Sequence, residues 1–103
     1  MAIIVENYKK YSGPGIKIMR GTALGNPFVI GRDGNRSEAI AKYKRWLWRE
    51  WNAGSPPVVY ALEFIRDAVK SGEDVHLVCC CKPLPCHGDV VKAMVEWMIR
   101  EGH

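Results

Sequence analysis

Residues 75–89, V-H-L-V-C-C-C-K-P-L-P-C-H-G-D, hold all four cysteines and two of the three histidines of the chain, and they are where its chemistry is expected. An apolar run precedes this turn and a helical pattern follows it. Side chains alternate along a strand, so Cys79 and Cys81 share one face and Cys80 takes the other. The turn then carries Cys86 and His87 to the start of a helix.

Three chemistries can be written for these residues. Cys79, Cys81, Cys86 and His87 have the donor atoms of a tetrahedral zinc site. The spacing disfavours the metal, because neither C-x-x-C nor H-x-x-x-H is present and the adjacent Cys86 and His87 would have to turn onto one ion. Cys86 could instead be a nucleophile, with the helix dipole and a neighbouring His87 or Lys82 lowering its thiol pKa. No residue pattern identifies an electrophilic substrate for it. The third possibility is binding without bond-making, at helix N–H groups beside the carboxyl end of a strand. In that case Asp89 caps the helix or holds a ribose hydroxyl or base edge. Cysteine as a small buried hydrophobe accounts well for Cys80 and less well for the polar Cys-His-Gly-Asp turn.

A second candidate region is the loop over residues 20–36, R-G-T-A-L-G-N-P-F-V-I-G-R-D-G-N-R, whose glycines and proline suit no regular element. Glycine lets backbone N–H groups approach a ligand, and Arg20 and Arg32 could bind phosphate or carboxylate. Turn-forming glycines with Phe28, Val29 and Ile30 inserted in the core are the alternative. Neither the dinucleotide fingerprint nor a P-loop lysine pattern is present.

The elements that must position these loops follow from periodicity. Residues 2–5 and 16–19 read as short strands, and residues 75–81 as a strand covered on both faces. Asn35 and Glu38 have capping-box spacing ahead of a helix with Ile40, Tyr43, Leu47 and Trp51 inward. Trp46 and Trp48 fall off that stripe, either packed half-buried or stacked on a ligand or second subunit. Ser55-Pro56 starts a second helix with Val58, Leu62, Ile65 and Val69 inward. Residues 90–101 form a third, with Val91, Met94, Val95 and Met98 inward. The order predicts one α/β domain over residues 1–103, a small Rossmann-like sandwich in which a mainly parallel sheet of about three or four strands is flanked by three helices.

At 103 residues and 48% hydrophobic, the chain suits one core without disulfides or an obligatory metal. Clustered cysteines do not make a secreted disulfide framework, and no signal-peptide pattern or membrane-spanning run is present. The expectation is a cytoplasmic protein with reduced thiols and no membrane partner. A net charge of +4 is modest, and its concentration on Lys42, Lys44, Arg45 and Arg49 reads as a solvated helix face before it reads as a nucleic-acid surface.

Two motifs, Gly25-Asn26-Pro27-Phe28 with Ile30-Gly31-Arg32-Asp33-Gly34, and Cys79-x-Cys81-Lys82-Pro83-x-Pro85-Cys86-His87-Gly88-Asp89, resemble a family of small uncharacterised domains of phages and bacteria. With the intervening helix they cover most of the chain. That family typically carries Trp between the paired cysteines, where this chain has Cys80, and the segment over residues 52–61 is longer here. The resemblance implies one pocket built from both loops. Arg20, Arg32 and the helix N-terminus would meet phosphate, Asn26 and Asp89 would read polar edges, and Phe28 would support a base. Gly25, Pro27, Lys82, Cys86, His87 and Gly88 would complete the pocket. The implied ligand is a nucleotide or nucleotide-derived molecule, with phage occurrence pointing to nucleotide metabolism, DNA modification or sequestration of a defence signal in the host cytoplasm. A homodimer through exposed tryptophans, a Cys86/His87-dependent enzyme acting on a nucleoside or nucleotide, and a zinc-stabilised interaction module are the other forms considered.

Overall fold

A computed structural model describes residues 3–79 and 84–103. Three strands, β1 (Ile3–Asn7), β2 (Ile16–Lys17) and β3 (Val75–Cys79), form a parallel sheet in the order β1-β3-β2. Three helices accompany it, α1 (Arg36–Asn52), α2 (Pro56–Lys70) and α3 (His87–Arg100). The α/β class and the parallel sheet with three helices are thus as the sequence predicts.

β3 lies in the centre, with Ile3 opposite Val75, Asn7 opposite Cys79, and Ile16 opposite Leu77. Alternation then divides the sheet. Ile3, Val5, Ile16, Val75, Leu77 and Cys79 join the core with the helices, whereas Ile4, Glu6, His76 and Lys17 stand on the other face. The segment after β1 covers part of that second face, with the Tyr11 ring stacked on His76 at 4.7 Å. β3 is therefore covered by helices on one face and by a loop on the other, which is why Glu6 and Asn7 can extend β1 past the apolar run.

The helices start where the sequence supplies caps. Asn35 accepts from the Glu38 N–H at 2.9 Å and Glu38 accepts from the Asn35 N–H at 3.0 Å, closing the expected capping box. α1 buries Ala39, Tyr43 and Leu47. α2 opens with proline in its first turn and buries Val58, Leu62 and Ile65. α3 begins at His87, three residues earlier than the apolar periodicity indicates. Cys86 is its extended N-cap, and Asp89 accepts from the Cys86 N–H at 3.3 Å. Cysteine stands where Ser or Thr usually does, so the cap is not obvious from residue type.

The four tryptophans are half-buried against the core, and Trp48 meets Trp97 edge-on at 4.7 Å. They form no exposed tryptophan face of the kind the dimer reading assumed. Among the described residues the large exposed apolar side chains are Tyr8, Ile30, Tyr60, Phe64 and Leu84.

Candidate functional site

The glycine loop is fastened by its own polar groups. Gly25 donates to the Thr22 carbonyl at 3.0 Å, and a Cβ at Gly25 would lie 2.5 Å from the Met19 carbonyl oxygen, so only glycine permits this approach. Leu24 is buried and its carbonyl accepts from the Tyr43 hydroxyl at 2.7 Å, tying the loop to α1. Asn26 Oδ1 accepts from the Phe28 N–H at 2.8 Å, the local turn for which asparagine is suited. Asp33 accepts from the Val29 N–H at 2.7 Å and pairs with Arg32 at 2.9 Å. Those two contacts, led by the Val29 bond, hold the Asp33 carboxyl below its usual pKa.

The cysteine turn is packed more deeply than its polar composition suggests. Cys86 Sγ lies 3.1 Å from Cys79 Sγ, with both residues buried and both as thiols. The Cys79 contact and burial push the Cys86 thiol pKa up. Desolvation and a second sulfur thus outweigh the helix N-terminus, the opposite of the lowered thiol pKa that a Cys86 nucleophile would need. His87 is 6% exposed, donates from Nε2 to the Ile18 carbonyl at 2.5 Å, and meets the Tyr43 ring edge-on at 5.0 Å. Burial lowers its pKa, with the positive charge of Arg20 acting in the same direction, so it is neutral at pH 7 and supplies no cation to Cys86. With Nε2 donating, Nδ1 is left as a lone-pair acceptor.

The two motifs meet. Arg36, at the start of α1, donates to the Pro85 carbonyl at 3.2 Å. A cavity of about 270 Å³ is lined by Met19, Arg20, Asn26, Phe28, Val29 and Ile30, with His87 from the cysteine turn. Of the residues singled out in the sequence, Arg20, Asn26, Phe28 and His87 are therefore brought together. Arg32 is bound to Asp33 and to the Pro27 carbonyl, so it braces the loop. Gly25 and Pro27 shape the loop backbone. Cys86 is packed against Cys79, and Gly88 lies under Val5 and Ile18. Asp89 serves the α3 cap and lines a different groove, with Lys44, Trp48 and Trp97. At the α3 N-terminus the Cys86 N–H is thus taken up by the helix's own Asp89. Lys82 and Cys81 lie outside the described residues.

Sequence reasoning missed Met19, two residues past β2, and weighed Val29 and Ile30 only as core insertions. Ile30 is 48% exposed, and an apolar triplet inside a glycine-rich loop was the available signal. Among the described residues no group of three or more His, Cys, Asp or Glu side chains is disposed to hold a metal ion. No helix among them is long and apolar enough to cross a membrane.

Comparison with known proteins places this chain in a family. Residues 4–97 match the domain of unknown function DUF4326. A curated relative, described as an uncharacterised 12.4 kDa protein in the nrdA–td intergenic region of Enterobacteria phage T4, is 31% identical over 99 residues, covering 95% of this chain and 81% of that protein. No solved structure matches the chain significantly. Spanning nearly the whole sheet-and-helix unit and both loops, these matches make the chain a member of the DUF4326 family, with a phage protein among its relatives.

Proposed function

We propose that the protein binds a nucleotide-like small molecule, without bond-making, in the cavity between the glycine loop and the start of α3. The observation that carries this reading is that one cavity takes Arg20, Asn26 and Phe28 from the glycine loop and His87 from the cysteine turn. Their chemistry is complementary to such a ligand. Arg20 supplies charge-assisted donors for a phosphate, Phe28 an aromatic wall, and His87 Nδ1 an acceptor for a hydroxyl or base N–H. At about 270 Å³ the space is near the lower end of small-molecule sites, which run from roughly 300 Å³, and suits a mononucleotide unit. The site stands at the carboxyl end of a parallel sheet, where open α/β folds place ligands. A cytoplasmic setting fits both the thiols and such a ligand. The raised thiol of Cys86 gives no support to a Cys86-dependent reaction.

Calorimetric titration with adenosine 5′-monophosphate, adenosine and inorganic phosphate tests the reading. The nucleotide is expected to bind saturably and more tightly than either fragment, and Arg20→Ala to weaken it about tenfold, or ~1.4 kcal/mol. Absence of saturable binding by purine and pyrimidine nucleotides alike would refute it.

A further inference from the structure

Because the three strands are parallel, their carboxyl ends share one edge. That edge is basic. Lys9 and Lys10 follow β1, and Lys17 and Arg20 stand at and just beyond the end of β2. The opposite edge is acidic, since β3 is entered through Glu73 and Asp74. An anionic ligand is therefore drawn to the carboxyl edge as a whole and not to Arg20 alone.

A second cavity of about 300 Å³ lies on that edge, lined by Tyr8, Tyr11, Ser12, Lys17, Met19 and Val78 together with loop glycines. Lys17 is the register partner of Val78, so this cavity opens on the sheet face away from the helices. It meets the first cavity at Met19, which lines both. Lys17 and Arg20 flank Met19, and three residues of extended chain span at most ~10 Å, so both long cations reach one phosphodiester. Each cavity also carries an aromatic wall. Phe28 serves the first, and Tyr8 and Tyr11 serve the second. Tyr11 is held in place, stacked on His76 and donating from its hydroxyl to the Pro14 carbonyl at 2.7 Å.

The geometry points to a two-lobed ligand, two bases joined through phosphate, with one base in each cavity and the linkage crossing Met19 between Lys17 and Arg20. This inference rests on the reading of the first cavity and names the class of ligand that fills it. Neither cavity alone has room for both bases, whereas a short dinucleotide uses both aromatic walls and both cations.

The test compares adenosine 5′-monophosphate with the 5′-phosphorylated dinucleotide pApA, which contains it. The dinucleotide is expected to bind at least tenfold more tightly. Tyr8→Ala should remove most of that advantage while leaving the mononucleotide affinity unchanged, and Lys17→Ala and Arg20→Ala should each weaken both probes. Both new variants change exposed side chains, and the Tyr8 N–H bond to the Cys79 carbonyl is retained. Equal affinity for the two probes, or a dinucleotide affinity indifferent to Lys17 and Tyr8, would overturn the two-lobed ligand and leave an Arg20-dependent mononucleotide site standing. Failure of both probes to bind would overturn both readings.

Discussion

Replacing Gly88 by alanine sets two effects of opposite sign against each other. Gly88 occupies the first turn of α3, and alanine is favoured there by up to about 1 kcal/mol through helix propensity. The added Cβ, however, would stand 2.7 Å from Val5 Cγ1, 3.0 Å from Ile18 Cδ1 and 3.3 Å from Cys86 Sγ. Carbon contacts are most favourable at about 3.5–4.0 Å, so the new methyl forces apart α3, β1 and the chain beyond β2. Overpacking of this kind costs about 1–3 kcal/mol, which outweighs the propensity gain. The net expectation is a loss of about 1–2 kcal/mol, or roughly 5–10 °C in Tm for a domain of this size. Thermal and urea unfolding followed by circular dichroism would measure it. The mechanism is tested by Val5→Ala, which removes the nearest obstacle. In the double variant Gly88→Ala/Val5→Ala the two losses should sum to at least ~1 kcal/mol less than their separate values predict. A Gly88→Ala protein as stable as the wild type, or losses that add without coupling, would refute the seating of α3 on these two side chains.

Tyr43→Phe removes a hydroxyl donating to a carbonyl in the core, so a loss of about 1–2 kcal/mol is expected, with faster amide exchange in the glycine loop. Hydrogen exchange unchanged over residues 22–28 would show that Tyr43 does not anchor the loop. His87 is held below its ordinary pKa of 6.5 by burial, so the unfolded chain binds the extra proton first as pH falls. Stability should therefore be full above about pH 6.5 and decline below it until the folded-state pKa is reached. This part of the pH dependence should vanish in His87→Gln, and a variant with the same urea-midpoint profile as the wild type would contradict it. Cys79 and Cys86 should react slowly with iodoacetamide at pH 7.5 in the native protein and quickly in guanidinium, as read by peptide-resolved mass spectrometry. Native Cys86 labelling as fast as that of an exposed thiol would show that the Cys79–Cys86 contact is misjudged.

The helices were legible because their signals are local. Asn35 with Glu38, Ser55 with Pro56, and the spacing of Tyr43, Leu47, Val58, Leu62 and Ile65 act within one or two turns, so composition and period suffice. The start of α3 was misread because its cap is a cysteine, and because His87 and Gly88 look polar and flexible while the fold buries both. The sheet was legible as class but not as order, since nothing in residues 3–7 or 16–17 states that both pair with β3.

The sequence by itself determined the α/β class and two unusual loops, because apolar period, capping residues and glycine content are properties of neighbouring residues. It also marked Arg20, Asn26, Phe28 and His87 as residues able to bind. Only the tertiary structure decided which of the marked residues share a cavity. Arg32 turned to its neighbour Asp33, Cys86 to Cys79, and Asp89 to the cap, since each had a partner within reach once the chain was folded. The same packing raised the Cys86 thiol and neutralised His87, as desolvation depends on what surrounds a group and not on which residues adjoin it in the chain.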